Sequence, residues 1–474
     1  MPYFLRFRPR STVSRRLWPL PLFLTSFLTR GVAVMNFRLL SIGLAAFAML
    51  AAASAAPVTV KESVLHNFGA STDGVQPQGE LTFDKAGNLY GSAPAGGTHG
   101  AGIIFEMSRV SGGWQETVLY NFCSATNCSD GGNPAGALLI DAKGNLYGTA
   151  QGGGGGANGS GGVVFELSPT SKGWKETVLY SFCAERHCAD GYFPNSKMIW
   201  DSAGNLYGTT VLGGDGSKGS GVVFELSRGS HGWTETVLYW FCQQTNCADG
   251  SQPWSGLVFD SAGNLYGTTY LGGIGILNCD KFRQSCGVVY ELTPGSGGWT
   301  ESVLYNFCSG ASCADGASPY ATLIFDAKGN LYGTTVGGGN ATCQLFAHGC
   351  GVVFELTPSG GTWTESVLHT FTAVNDGANP YGPLLLDSHG NLSGTTFFGG
   401  NFPECYAGLG CGVVFQLTPV AGGGWKDMIR YTFTAGADGG FPQGGLTADS
   451  LGNLYGLATW GGTSTFGVAF ELSH

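Results

Sequence analysis

The sequence predicts an all-β fold, a seven-bladed β-propeller with four antiparallel strands in each blade. The first observation is the motif Gly-Asn-Leu-Tyr-Gly, which recurs seven times at spacings of 57, 60, 59, 66, 61 and 62 residues, with Ser393 replacing the tyrosine of the sixth copy. The second is that every unit holds four short strand-like segments separated by turn residues. Repetition of one supersecondary unit at a fixed period is typical of propellers and other repeat arrays.

Each unit begins with an Asp-Gly-x-x-Pro turn and continues with an apolar strand such as residues 137–141. That strand ends in Asp-x-x-Gly-Asn, a tight hairpin in which glycine takes the left-handed conformation. The Asn-Leu-Tyr-Gly-Thr-Thr strand, a glycine-rich loop of variable length and the Gly-Val-Val-Phe-Glu-Leu strand follow. A Gly-Trp turn leads into the Glu-Thr-Val-Leu-Tyr strand, which is apolar on both faces and is therefore expected between two layers. We expect all four strands to span about five to seven residues.

These four strands are expected to follow one another outward from the axis. The last unit supplies three strands, and the strand left over, residues 62–68, stands near the beginning of the chain. The ring is therefore predicted to close when residues 62–68 pair into the last blade, which also removes exposed sheet edges.

The same topology divides the connections between two faces. The Asp-x-x-Gly-Asn hairpins and Gly-Trp turns share one face, here called the hairpin face. The Asp-Gly-x-x-Pro turns, the glycine-rich loops and all the cysteines share the opposite one, here called the stapled face. Because its loops vary in length, the stapled face is the candidate working face.

Residues 1–56 are predicted to be a leader and signal peptide, and residues 57–474 a single propeller domain. Met35, an alternative start of translation, opens a segment with a short basic region, an apolar run over residues 39–53 and small residues at 54–56. Seven of the 22 Lys and Arg but none of the 32 Asp and Glu lie in residues 1–56, so the remainder has a net charge near −17. Such a surface repels nucleic acid and anionic membranes and excludes both as main partners. The mature protein is expected to be secreted, periplasmic or at the cell surface, without a membrane span.

All 14 cysteines lie in the predicted propeller and form seven close pairs. An even count and local pairing in an exported protein predict disulfides rather than zinc ligands, because the pairs belong to separate repeats. Four pairs follow the pattern Phe-Cys-x4-Cys, namely Cys123/Cys128, Cys183/Cys188, Cys242/Cys247 and Cys308/Cys313. Three precede the Gly-Val-Val strand, namely Cys279/Cys286, Cys343/Cys350 and Cys405/Cys411.

The combined pattern of Gly-Asn-Leu-Tyr-Gly-Thr-Thr, Gly-Gly, Gly-Val-Val-Phe-Glu-Leu and Trp-x-Glu-Thr-Val-Leu-Tyr-x-Phe resembles the bacterial GloVer (Gloeobacter/Verrucomicrobia-type) tandem repeat over nearly all of residues 60–474. The resemblance implies an exported bacterial protein of the choice-of-anchor class and assigns no catalytic residues. Members of that class often end in a sorting tail, whereas this chain ends at His474 inside the last blade. Release or periplasmic residence is therefore expected rather than anchoring.

The repeat accounts for nearly every acidic residue. The five acids outside repeated positions are Glu80, Glu185, Asp215, Asp280 and Glu404. A polysaccharide hydrolase or lyase would need two carboxylates about 5–10 Å apart, and the last four of these acids come from different blades. No nucleophile elbow, His-Glu-x-x-His motif or phosphate loop is present. The sequence therefore favours a non-enzymatic protein, and we predict no catalytic residue.

The aspartates of the seven Asp-Gly turns are a second candidate for chemistry. Seven acids around one axis would suit Ca²⁺. Asp-Gly is also a good turn in its own right, and a turn is needed in every blade. The turn is the favoured interpretation, so we predict no metal site and no cofactor.

Aromatic residues of the stapled face differ from blade to blade, unlike those of the strands. They flank the proline of Asp-Gly-x-x-Pro or lie in the variable loops. Aromatic rings beside polar side chains stack on sugar faces and are common in small-ligand clefts; the alternative is packing over the mouth of the propeller. The predicted ligand-binding residues are Tyr192, Trp254, Tyr270, Tyr320, Tyr381, Phe441 and Trp460.

Three functions remain open at this point. The first is an exported, non-enzymatic propeller that binds a glycan, another extracellular ligand or a protein on the stapled face. The second is a secreted polysaccharide hydrolase or lyase, and the third is a structural or interaction module of the cell surface. The first and third are favoured because the repeat explains nearly all acids.

Overall fold

The structure is a computed structural model that describes residues 60–69, 72–155, 160–214, 219–230, 232–275, 286–339, 343, 349–402, 405 and 408–473. These residues form seven antiparallel sheets of four or five strands and one further two-stranded sheet, and the seven-bladed all-β propeller predicted from the sequence is confirmed. The predicted leader and signal peptide, with the alternative start at Met35, lies outside the described residues. In the described part of the chain, no helix is both long and apolar enough to cross a membrane.

The strands of each blade follow one another outward in chain order, as predicted. In blades 1 to 7 the inner strands are Gln78–Phe83, Leu139–Ile140, Ile199–Trp200, Val258–Phe259, Ile324–Phe325, Leu385–Leu386 and Thr447–Ala448. The second strands are Leu89–Ala93, Leu146–Gly152, Leu206–Leu212, Leu265–Thr269, Leu331–Gly337, Leu392–Thr396 and Leu454–Ala458. The third strands are Ile103–Val110, Val163–Thr170, Val222–Gly229, Val288–Gly295, Val352–Ser359, Val413–Pro419 and Val468–Ser473.

The outer strands of blades 1 to 6 are Gly113–Asn121, Gly173–Ser181, Gly232–Trp240, Gly298–Asn306, Thr362–Thr370 and Trp425–Thr432. Shorter elements lie on the stapled face. They are the strands Gly74–Val75, Ala95–Gly96, Gly132–Pro134, Tyr192–Pro194 and Ala317–Pro319 and the 3-10 turns Thr126–Cys128, Arg186–Cys188, Thr245–Cys247 and Ala311–Cys313.

The ring closes as the sequence predicts. The N-terminal strand Lys61–Asn67 is the outer strand of blade 7 and pairs antiparallel with Val468–Ser473, with Glu62 opposite Leu472. Phe68, directly after this strand, is fully buried in a cluster that joins residues of blades 7 and 1. The closing strand therefore contributes to the packing of two blades.

Two predicted strand lengths are wrong, for opposite reasons. Six of the inner strands have only two residues, because backbones of neighbouring blades crowd together at the axis. A Cβ added at Gly136 of blade 2 would lie 2.9 Å from the carbonyl oxygen of Ser196 in blade 3, so little room remains for a longer ladder. The outer strands are longer than predicted, because the Gly-Trp residues pair with the third strand, as Trp233 does with Arg228.

The core lies between successive blades and combines aliphatic side chains with a layer of aromatic rings. Phe224 of a third strand is fully buried and contacts Phe182 of the preceding blade edge to face, with ring centroids 5.0 Å apart. It pairs with Gly208 of the second strand, where a Cβ would lie 2.7 Å from the ring. Glycine is needed at this position because the phenylalanine ring fills the space of its side chain.

Hydroxyl groups of the second strands join the blades near the axis. Thr209 donates a hydrogen bond of 2.8 Å to the carbonyl of Ser255 in the next blade. Similar bonds come from each of the seven blades, the donors being Ser92, Thr149, Thr209, Thr268, Thr334, Thr395 and Thr459. Together with the close backbone contacts, they fix the inner ends of the blades around the central cavity.

Candidate functional site

Disulfides fix the loops of the stapled face. The four Phe-Cys turns are closed by Cys123–Cys128, Cys183–Cys188, Cys242–Cys247 and Cys308–Cys313. Two glycine-rich loops are closed by Cys343–Cys350 and Cys405–Cys411. Cys286 is also disulfide-bonded, and its predicted partner Cys279 lies outside the described residues. Within the described ranges no cysteine is free, and so many disulfides indicate an oxidising environment.

The Asp-Gly aspartates serve their own turns rather than a common central site. Asp190 is buried and accepts hydrogen bonds of 2.9 Å from the Tyr180 hydroxyl and from the backbone N–H of Ala184. Burial alone would raise the pKa of the equivalent Asp130, but hydrogen bonds from Tyr120 and Ser124 outweigh it and hold that pKa below its usual range. These carboxylates therefore tie each turn to the outer strand of the preceding blade.

Each Asp-Gly turn also faces a second carboxyl group. This group lies on the outer strand of the blade that the turn begins, so the turn at Asp190 faces Glu235 of blade 3. Oε1 of Glu235 is buried and has no hydrogen-bond partner among the described groups. Burial, with the charge of Asp190 as a smaller cause, raises the pKa of Glu235 to about 8. Burial and a facing aspartate also raise the pKa of Glu301 to about 8. The same two causes raise the pKa to about 7 at the equivalent glutamates of four other blades, Glu62, Glu116, Glu176 and Glu365.

The central cavity opens on the stapled face through a ring of seven side chains, one from each blade. Each residue directly follows the proline of an Asp-Gly-x-x-Pro turn. This mouth ring consists of Gln78, Ala135, Asn195, Trp254, Tyr320, Tyr381 and Gln443. The cavity below it has a volume of about 460 Å³ and extends down to aliphatic residues of the inner strands such as Ile199 and Leu386.

The aromatic side chains of the mouth ring contact one another. Trp254 and Tyr320 are stacked, with ring centroids 5.3 Å apart and an interplanar angle of 21°. Tyr381 meets Tyr320 edge to face at 5.2 Å, and Tyr270 meets it at 6.3 Å. Phe397 continues the contacts from Tyr381 at 5.7 Å. All five rings are partly buried and support one another, and Trp254, Tyr320 and Tyr381 also line the cavity.

Polar groups complete the mouth ring and the cavity wall below it. Asn195 hydrogen-bonds the Tyr320 hydroxyl, which opposes the larger effect of burial in raising the pKa of that hydroxyl. Asn195 also accepts a hydrogen bond from Gln151. Two residues further along the chain, Lys197 forms an ion pair with Glu80 of blade 1, with 3.1 Å between Nζ and Oε1. Among the described residues, Glu80 and Lys197 are the charged side chains that line the cavity.

The structure brings most of the predicted ligand-binding residues into one connected set. Trp254, Tyr270, Tyr320 and Tyr381 are in direct contact. Phe441 lies 5.5 Å from Phe397, and Tyr192 reaches Trp254 only through Phe193. Trp460 lies beside this set, because its backbone pairs with that of Gly440.

Sequence reasoning missed the polar members of the mouth ring, Gln78, Asn195 and Gln443, and the pair formed by Glu80 and Lys197. The signal was present, because these residues occupy the first and third positions after the same proline as the predicted aromatics.

The acids considered for polysaccharide hydrolysis are placed as follows. Glu185 is exposed, and its backbone N–H donates a hydrogen bond of 3.2 Å to Asp190. Asp215, Asp280 and Glu404 lie outside the described residues.

This chain belongs to the Gloeobacter/Verrucomicrobia repeat family. The family pattern matches three overlapping segments, residues 53–219, 124–346 and 275–474. The comparison with curated proteins finds no match.

Solved structures of similar fold are distant in sequence. A gluconolactonase from Xanthomonas campestris is 14% identical, covers 72% of this chain and 87% of its own, and has a TM-score of 0.38. A protein from Lactobacillus plantarum is 13% identical, covers 78% and 95%, and has a TM-score of 0.42. A putative oxidoreductase (glucose dehydrogenase) from Thermus thermophilus is 12% identical, covers 71% and 95%, and has a TM-score of 0.39. Similarity at this level carries no information about the function of this chain.

Proposed function

We propose that this protein is an exported, non-enzymatic propeller that binds a glycan, or another extracellular ligand of similar chemistry, at the mouth ring. The observation that carries the proposal is the composition of that ring. Trp254, Tyr320 and Tyr381 come from three successive blades, and Gln78 and Asn195 add amide groups to the same ring. The strand residues are repeated from blade to blade, whereas these positions change.

This combination suits a sugar. Aromatic rings pack against the apolar face of a pyranose, while amide groups exchange hydrogen bonds with its hydroxyls. The pair of Lys197 and Glu80 adds one donor and one acceptor below the ring. A volume of about 460 Å³ lies in the range of small-ligand sites, roughly 300–1,000 Å³.

The disulfides support export, because they form and persist in oxidising compartments. They also restrain the loops around the mouth. A restrained site loses less conformational entropy when a ligand binds, which favours affinity.

A glycan array probed with the purified protein tests the proposal, and titration calorimetry then measures each hit. We expect Trp254→Ala to weaken binding by about tenfold or more, which corresponds to about 1.4 kcal/mol. Trp240→Ala is the matched control, because it removes an indole that is 40% exposed on an outer strand. Absence of any glycan hit, or equal affinity of Trp254→Ala and Trp240→Ala, would refute the proposal.

A further inference from the structure

A cluster of His, Asp and Glu lies beside the closing strand and shares no residue with the mouth ring. His66 is on the closing strand Lys61–Asn67, Asp73 is in the turn that follows, and Glu116 is on the outer strand of blade 1. The distance between His66 Nε2 and Asp73 Oδ2 is 2.9 Å. One ligand atom from each of the three residues lies within 4.8 Å of the others.

The repeat itself shows that this cluster is unusual. In five blades the position of His66 holds a tyrosine whose hydroxyl donates to the Asp-Gly aspartate, namely Tyr120, Tyr180, Tyr239, Tyr305 and Tyr431. A neutral tyrosine satisfies that aspartate but is a poor metal ligand. His66 makes the same contact and provides an imidazole nitrogen, which is a common ligand of Zn²⁺.

The remaining blade provides a natural comparison. His369 lies 3.2 Å from Asp376, but the facing acid is Asp427, whose side chain is one methylene shorter than glutamate. Among the described residues, only two groups bring three potential ligand atoms within the same distance. One is the His66 cluster, and the other is a set of cysteines, two of which form a disulfide.

We propose that His66, Asp73 and Glu116 form a Zn²⁺ site with water as a fourth ligand. Two carboxylates and a neutral imidazole compensate the charge of the ion, so the buried charges are paired. The side chains of His66 and Asp73 are 23% and 20% exposed, which leaves access for water. Zinc binds with three protein ligands and a water in many catalytic sites, and the same coordination is proposed here for a stabilising ion.

The surroundings hold the ligands in position. The ring of Phe68 packs edge to face against His66, with centroids 4.8 Å apart. The carboxylate of Asp73 accepts hydrogen bonds of 2.8 Å from the N–H of Gly69 and 2.6 Å from that of Gly74. Oε1 of Glu116 is buried and has no hydrogen-bond partner in the described part of the chain, so it is available to the ion.

A zinc ion at this position would link the outer strand of blade 7 to that of blade 1. The closing strand Lys61–Asn67 also pairs with the last strand Val468–Ser473, so holding it against blade 1 would favour the closed ring. Zinc is therefore expected to stabilise the closed propeller.

Zinc uptake by the untagged protein tests the site after treatment with chelator and dialysis. Inductively coupled plasma mass spectrometry is expected to find one Zn²⁺ per chain and a higher Tm with zinc than without. His66→Tyr, which installs the residue of five other blades, is expected to weaken zinc binding by more than about tenfold and to abolish the Tm increase. Its Tm without zinc shows whether it has folded. Glu116→Gln, which keeps the side-chain size, is expected to behave in the same way.

His369→Tyr is the matched control and is expected to bind zinc as the wild type does. Failure of the chelator-treated wild type to take up zinc would overturn the proposal. Equal zinc binding by wild type and His66→Tyr would also overturn it. Neither result depends on the proposed glycan site, because zinc alone is the probe.

Discussion

The hairpin face and the stapled face are built from the same repeat, yet they use its residues in opposite ways. On the hairpin face, Asp260 accepts hydrogen bonds from the N–H groups of Ala262 and Asn264 and from the Asn264 side chain, and the Tyr266 hydroxyl lies 3.2 Å away. Nearly the same network recurs in every blade. On the stapled face, the mouth ring changes from Gln to Ala, Asn, Trp and Tyr. A residue that every blade needs for the same turn cannot vary to suit a ligand. A residue that no turn requires can vary, and it can therefore form part of a binding site.

The largest expected effect is on the hairpin face. Asp260→Ala removes a charged acceptor of several hydrogen bonds, most of them partly buried, so we expect a loss of about 3 kcal/mol in unfolding free energy, measured by urea denaturation. Asp387→Ala is the matched control, because Ser393 replaces the tyrosine in that blade and Asp387 accepts only three hydrogen bonds from described groups. A cost at Asp387 equal to that at Asp260 would contradict the role assigned to the tyrosine.

A smaller loss of unfolding free energy is expected when one disulfide of the stapled face is removed. Replacing both Cys123 and Cys128 by Ala opens a short disulfide loop, and the chain-entropy model gives a cost of about 2 kcal/mol. Urea denaturation of the double variant beside the wild type measures it. Glycan affinity is expected to change by less than about twofold, because the large aromatic side chains of the mouth ring belong to blades 4 to 6. Unchanged stability would show that this face is held by its hydrogen bonds alone.

The outer rim is expected to make stability depend on pH. The pKa of Glu235 is about 8 in the folded protein, against an ordinary value of 4.5. Between these pH values the folded protein keeps a proton that the unfolded chain has lost, so stability falls as pH rises through this window. Glu235→Gln mimics the protonated side chain and is expected to be more stable than wild type by about 1 kcal/mol near pH 8.5, because solvent at the rim screens part of the shift.

The same variant is expected to match wild type at about pH 3, where the glutamate is protonated in both states. Unfolding free energies measured at both pH values provide the check. A difference between variant and wild type that does not change with pH would show that the glutamate carries no extra proton in the folded protein.

The smallest effect is expected at an exposed acid of the stapled face. Glu185→Ala removes a solvated side chain, so the change in stability should stay within about 0.5 kcal/mol, and glycan affinity should be unchanged. Calorimetry and turnover of a polysaccharide panel measure both properties. Polysaccharide cleavage by the wild type that disappears in Glu185→Ala would favour the hydrolase and overturn the proposed binding function.

The architecture could be predicted from the sequence because every blade repeats the same turn and strand motifs. Turn residues, alternating apolar residues and the leftover strand that contains His66 were sufficient to give seven blades, four strands in each blade and the closure of the ring. The predicted lengths of the inner strands were wrong because neighbouring backbones crowd together near the axis, as at Gly136. The sequence pattern of a single segment does not show how close the next blade lies. Close cysteine pairs were predictable because both members lie on one short turn.

The sequence by itself therefore determined the fold, the order of strands and the face on which each loop lies, all of which follow from local patterns. Only the tertiary structure decided which side chains meet. Glu80 and Lys197 are 117 residues apart and belong to different blades, yet they form an ion pair in the cavity. His66 and Glu116 come together because the outer strands of neighbouring blades pack side by side. Periodicity fixes the register of each residue within its blade, but contact between blades depends on the curvature and packing of the whole ring.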